Sequence, residues 1–145
     1  PAAGRQAGVE SLALTSTSLA AILAHWGLAI AHSAFEEDSA AWEQVRKGLQ
    51  HADFVALPPL KAWLLPVAAF LLGRQGQGER AVELLSLARR QSPDGEGWTA
   101  LWRPLVELRG RLQAELGAEG YEAAWRRGQA LDIESATASL LEGGH

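Results

Sequence analysis

The chain has 145 residues, enough for one domain whose core needs no disulfide or metal to hold it together. It contains no cysteine, which excludes disulfide frameworks, thiolate metal sites and cysteine nucleophiles. The formal net charge of -4 opposes a general affinity for nucleic-acid backbones, which requires clustered Lys and Arg. Every strongly apolar stretch is shorter than the roughly 20 residues that span a bilayer, so no membrane helix is predicted.

The first half of the chain predicts three helices. Apolar residues at three- and four-residue steps indicate a long, mostly buried helix over about Ser11–Ala34. A polar turn follows and caps an amphipathic helix that ends near Asp53. Pro58 opens a third helix, which reaches Gly73 and which Pro66 is expected to kink. The apolar positions of the first helix are Leu12, Leu19, Ile22, Leu23, Trp26 and Ile30.

The second half predicts four more helices. A glycine-rich turn precedes a helix over Glu79–Arg90. The fifth helix contains Trp98 and Trp102 and ends near Gly117, with Pro104 marking either its true start or a kink. Two short helices close the chain, one over Tyr121–Arg127 that Gly128 ends, the other capped by Asp132 and running through Leu140 and Leu141.

These elements predict an all-α fold of about seven helices. The β-branched residues are scattered, and no run of them reads as a strand. The expected organisation is a disordered or linker N-terminus over residues 1–10, a helical domain over residues 11–142, and a tail over residues 143–145.

Small residues recur at the spacing found where the two helices of a tetratricopeptide hairpin cross. Ala69 takes the small position of the first helix, Ala81 and Ala88 take those of the second, and Pro93 takes the terminal proline. Residues 62–94 therefore resemble one complete tetratricopeptide repeat (TPR). An earlier, looser unit sets Gly27 at the first small position and assumes a two-residue insertion in the turn. The resemblance implies a right-handed α-solenoid of TPR-like helical hairpins.

The C-terminal half carries a second resemblance. The segment GQGERAVELLSL over residues 76–87 and the segment RGQALDIE over residues 127–134 are followed by Leu140 and Leu141. This pattern resembles the C-terminal end of the TPR sensor region of bacterial STAND-class signalling NTPases, the AfsR-like and LuxR-type regulators. The resemblance implies a cytoplasmic, non-catalytic sensor that acts with an upstream NTPase module of the same chain.

Candidate catalytic and metal sites are weak. His25 and His32 lie seven residues apart on one helical face with Glu36 four residues further on, but no HExxH motif is present. No constellation supplies a nucleophile, a base and oxyanion donors together. We therefore expect no enzyme activity, no cofactor and no metal.

The TPR resemblance implies that the first helix of each hairpin lines a concave groove. The groove would bind a protein or peptide partner, with neither nucleic acid nor a membrane as partner. Two alternatives stay open, a DNA-binding or transcription-linked domain and a small-molecule sensor with an enclosed cavity lined by tryptophans. Carried over residue by residue, the predicted groove residues are His25, Leu28, His32, Trp63, Phe70, Arg74, Trp98 and Trp102.

Overall fold

A computed structural model describes residues 19–54, 58–91 and 96–142. These residues form seven helices and no strand, which confirms the predicted all-α class. None of the described helices is long and apolar enough to cross a bilayer. The expectations for residues 1–18, for Pro93 and for residues 143–145 lie outside the described ranges. The helices are α1 over 19–34, α2 Asp38–Phe54, α3 Pro58–Arg74, α4 Gly78–Gln91, α5 Glu96–Leu101, α6 Arg103–Gln129 and α7 Ile133–Glu142.

The hairpins α1–α2 and α3–α4 are joined by turns of the same geometry. The backbone N–H of Glu37 donates to the carbonyl of His32 at 2.9 Å, and that of Gln77 donates to Leu72 at 2.9 Å. The middle residue of each turn has a positive φ, 60° at Glu36 and 87° at Gly76. Both turns are thus the left-handed termination that commonly ends a helix, and the two hairpins are equivalent at an offset of 40 residues, as from Glu37 to Gln77.

This offset corrects the predicted alignment of the first hairpin. The α1 residue equivalent to Ala69 is Ala29, and both side chains are fully buried. Gly27 is exposed, with open space where a Cβ would stand. The same offset joins Ala41 to Ala81, both also fully buried. The predicted two-residue insertion in the turn, and the assignment of Gly27 to the small position, are therefore wrong.

Helix α3 lies at the centre of the fold and is buried on all sides. It packs against α2, α4 and α6. Apart from Trp63, every residue of α3 from Lys61 to Leu72 is buried. The buried Lys61 ammonium donates to Oε2 of Glu134 in the first turn of α7 at 2.8 Å, which ties the last helix to the central one. Helix α3 continues through Pro66, a residue that offers no N–H to the carbonyl one turn earlier.

The C-terminal helices divide differently from the prediction. The predicted fifth helix is two helices, because α5 ends at Leu101 and α6 begins at Arg103, with Pro104 in its first turn. Pro104 thus marks a true start. The predicted sixth helix is the second half of α6, separated from the first half by non-helical backbone at Gly117, where φ is 74° and ψ is 169°. Asp132 caps α7 as predicted, accepting from the N–H of Ser135 at 3.1 Å.

Helix α6 covers α4 by close approach at a glycine. The predicted helix stop Gly128 lies within the last turn of α6, where a Cβ would stand 2.3 Å from the carbonyl oxygen of Glu83. The adjoining Ser86 hydroxyl donates to the carbonyl of Trp125 at 2.6 Å. The second half of α6 therefore rests directly on the backbone of α4.

The two equivalent turns generate a matched prediction. Because Glu36 has the left-handed conformation that glycine adopts without a Cβ penalty, Glu36→Gly should raise the free energy of unfolding by about 1 kcal/mol. Gly76→Ala should lower it by about 1 kcal/mol, since nothing but the backbone conformation opposes the added Cβ. Urea denaturation measures both, and changes of the same sign would contradict equivalent turns.

The glycines of α6 generate a second prediction. Gly128→Ala should lower the free energy of unfolding by about 1–3 kcal/mol, because its Cβ would collide with the α4 backbone. Gly110→Ala in the same helix is the control, and it should raise that free energy by about 0.5–1 kcal/mol because its surroundings are open. A neutral Gly128→Ala in chemical denaturation would show that α6 does not lie this close to α4.

Candidate functional site

Five aromatic side chains from three regions of the chain meet beside α1 and α3. The ring of Trp26 on α1 meets Trp63 edge-on at 5.5 Å and Trp98 edge-on at 5.1 Å. Trp98 stacks on Trp63 at 6.1 Å and on Trp102 at 5.6 Å. Trp102 in turn contacts Phe70 at 5.0 Å. We call these five residues the aromatic cluster.

Helix α5 occupies the face that the sequence predicts to be an open groove. Trp98 of α5 lies against Trp63 on α3, the first helix of the second hairpin. Trp102, which directly follows α5, lies against Phe70 on α3. The four tryptophans are half-buried, and Phe70 is buried. A helix of six residues is marginal by itself, so the position of α5 depends on these ring contacts. Trp98 and Trp102, themselves predicted groove residues, therefore lie together with the predicted groove residues Trp63 and Phe70.

Arg74 belongs to this face but also joins the two hairpins. Its guanidinium lies 4.8 Å from the centre of the Phe70 ring. It also donates to the carbonyl of Ser33 at 2.9 Å and to the carboxylate of Asp38. Arg74 therefore ties the end of α3 to the turn between α1 and α2, a structural role beside any role in binding.

The other predicted groove residues lie elsewhere. His25 faces α2, where its Nδ1–H donates to Gln44 at 2.7 Å and its ring is 5.5 Å from that of His51. Nδ1 of His32 lies 3.1 Å from a carboxylate oxygen of Glu37. Leu28 is 46% exposed, on the side of α1 opposite Trp26. In the described ranges, no group of three or more His, Asp or Glu residues could hold a metal ion.

Sequence reasoning did not place Trp26 in the groove. Its spacing of four residues from both Ile22 and Ile30 assigned it to the core stripe of the first helix. Trp26 on that stripe contacts Trp98 of α5, so the spacing did carry the signal. The place of Trp26 beside the predicted groove residues could be recognised only once the position of α5 was known, because that position depends on the path of the chain.

A small cavity adjoins the aromatic cluster. Trp63, Trp98 and Trp125 contribute to its lining, and its free volume is about 30 Å³, the share of one water molecule in the liquid. Arg89 and Arg109 lie beside it, with their guanidinium carbons 5.9 and 5.8 Å from the centre of the Trp125 ring. A cavity of this size holds no organic ligand.

Comparisons with models of known protein families, with curated proteins and with solved structures each found no match to this chain.

The aromatic cluster generates a stability prediction. Trp98→Ala should lower the free energy of unfolding by about 1–3 kcal/mol, because the half-buried ring contacts three other tryptophans. Leu101→Ala in the same helix is the control: with 87% of the residue exposed, it should change that free energy by less than about 0.5 kcal/mol. Denaturation followed by tryptophan fluorescence measures both, and equal effects would contradict the packing of α5 on α3.

Proposed function

We propose that this chain is a non-catalytic, TPR-like sensor or interaction module that binds a protein or peptide through the face carrying the aromatic cluster. The observation that carries the proposal is the position of α5. A six-residue helix held there by two tryptophans indicates that this face accepts a short aromatic segment. In the STAND-like architecture that the sequence resembles, an upstream NTPase module in the cytoplasm would respond to that binding.

The repeated hairpins support a scaffold of this kind. The turns α1–α2 and α3–α4 share backbone geometry, and small residues occupy equivalent buried positions in both hairpins. Stacked hairpins of this type present their first helices side by side and so form extended binding surfaces. Trp26 on α1 and Trp63 on α3 are contributed by first helices, and their rings meet at 5.5 Å.

DNA binding is supported less well. Three arginines of the C-terminal half are engaged within the chain. Arg126 donates to Glu122 at 2.7 Å, and Arg127 donates to Glu83 at 3.1 Å. Arg90 donates to the carbonyls of Gln129 and Leu131. A carboxylate beside an arginine offsets part of the attraction of that arginine for a phosphate, so these residues make a mixed surface and not a cationic one.

A small-molecule sensor is also supported less well. That alternative predicts an enclosed cavity lined by tryptophans, and the cavity between Trp63, Trp98 and Trp125 has room for about one water molecule. A ligand of drug size needs a pocket of roughly 300–1,000 Å³. A pocket of about 340 Å³ lined by Phe70, Arg74 and Pro104 reaches that size, but no tryptophan lines it. A protein or peptide partner requires no such cavity.

The proposal is tested with three purified forms of the full chain used as bait in a lysate of the source organism. The wild type carries α5 on the face. Trp98→Ala with Trp102→Ala removes the rings that hold α5, so we expect this form to retain a specific protein more strongly than the wild type. Adding Trp63→Ala should abolish that retention, because Trp63 is part of the face itself.

Leu101→Ala is the matched control and should leave retention unchanged, and far-UV circular dichroism verifies that each form is helical. A protein retained equally by all forms would contradict binding at this face. Retention of nucleic acid alone, weakened by salt, would favour the DNA-binding alternative. Retention of a small molecule alone would favour the ligand sensor.

A further inference from the structure

Two histidines from the two helices of the first hairpin lie side by side. The centre of the His25 ring on α1 is 5.5 Å from that of His51 on α2, with an angle of 34° between the two ring planes. The sequence pattern pairs His25 with His32 on the same helix and leaves His51 out. The hairpin instead brings together imidazoles from two different helices.

The side of α2 that faces His25 is formed by Gln44, Gly48 and His51. These residues lie four and three positions apart, so they share one side of the helix. A Cβ at Gly48 would stand 3.5 Å from the Cβ of His25. His25 therefore lies over Gly48, where its ring reaches both Gln44 and His51.

The hydrogen bond between His25 and Gln44 decides which nitrogen of His25 is able to bind an ion. Nδ1 of His25 lies 2.7 Å from Oε1 of Gln44, and an amide oxygen only accepts, so Nδ1 carries the proton. In the neutral ring the free lone pair is then on Nε2. Histidines that bind metals commonly donate their other ring N–H to an oxygen in this way, which fixes the orientation of the ring.

The separation of the two rings suits a shared metal ion. An imidazole nitrogen lies about 2.0–2.1 Å from a bound Zn²⁺, so two rings that share an ion have their centres roughly 5 Å apart. The observed 5.5 Å requires only a small adjustment of the side chains. Both histidines are half-buried, so water has access to the pair. Among the residues that the structure describes, no third histidine or carboxylate joins them, which leaves the other coordination positions to water.

We propose that His25 and His51 bind one divalent transition-metal ion, Zn²⁺, Ni²⁺ or Cu²⁺, which links α1 to α2. Imidazole nitrogen favours these ions, whereas Mg²⁺ and Ca²⁺ prefer oxygen ligands. Because the protein supplies only two ligands, the ion exchanges with solution more readily than in a closed structural site. The expectation of no metal is thereby revised, since it considered His25 with His32 and not with His51.

The metal site goes beyond the proposed function and does not rest on it. His25 contacts α2, whereas its neighbour Trp26 contacts Trp63 and Trp98 in the aromatic cluster. An ion held by His25 and His51 would fix α1, the helix that supplies Trp26, in place on α2.

Thermal unfolding of the full chain with and without Ni²⁺ tests the proposal. An ion that binds only the folded chain raises the unfolding temperature by mass action, and we expect NiCl₂ at about 1 mM to raise it by at least about 4 °C. His25→Ala and His51→Ala should each remove most of that rise. Each variant is compared with itself in the absence of metal, so a change in its basal stability does not affect the result. Mg²⁺ at the same concentration should have no effect.

His32→Ala is the matched control in the same hairpin. Nδ1 of His32 lies 3.1 Å from a carboxylate oxygen of Glu37, away from the His25–His51 pair, so this variant should keep the full rise. A rise that persists in His51→Ala, or that is lost in His32→Ala, would overturn the proposal, because the ion would then bind elsewhere.

Electron paramagnetic resonance of bound Cu²⁺ counts the nitrogen ligands directly and does not depend on thermal unfolding. With one equivalent of Cu²⁺, we expect the splitting of two imidazole nitrogens in the wild type and of one in His51→Ala. A single nitrogen in the wild type, or a spectrum that His51→Ala leaves unchanged, would show that the two histidines do not share an ion.

Discussion

Helix α3 is apolar around its whole circumference, and a helix of this composition is stable only when neighbours cover every side. Its consecutive residues Val67, Ala68, Ala69 and Phe70 point in different directions around the axis, and all are buried. Helices α2, α4 and α6 supply most of that cover, and α7 adds the ion pair between Lys61 and Glu134. The arrangement of the remaining helices follows from this requirement, because each is amphipathic or carries aromatic residues that lie towards the centre.

The second hairpin, α3–α4, is covered in different ways on its N-terminal and C-terminal sides. Towards the N-terminus, α2 lies against α3 by a plain hairpin-on-hairpin contact, with Gly48 allowing Leu64 to approach closely. Towards the C-terminus, α6 breaks at Gly117 and its second half lies on the backbone of α4 at Gly128. The repeat therefore stops at α4, where α6 covers the helix, whereas Leu23 and Leu28 on α1 remain exposed.

The aromatic cluster fills the remaining side of α3 with a segment that has little stability of its own. Six residues make too short a helix to persist without tertiary contacts, so α5 is stabilised by the rings of Trp98 and Trp102 against Trp26, Trp63 and Phe70. The four tryptophans are half-buried, so part of each residue stays accessible to a partner. This property connects the fold to the proposed binding role, since a partner segment would replace contacts that already exist within the chain.

The sequence by itself determined the helical class, the second hairpin and the Asp132 cap of α7. Each depends on contacts within one turn or one hairpin, such as the spacing of Ala69, Ala81 and Ala88 or the side chain of Asp132 at the start of α7. The tertiary structure decided which side of α1 is buried, that Ala29 and not Gly27 takes the small position, and that α5 lies over α3. These features depend on contacts between distant segments, and an apolar periodicity gives the same signal whether its face meets another helix or remains exposed.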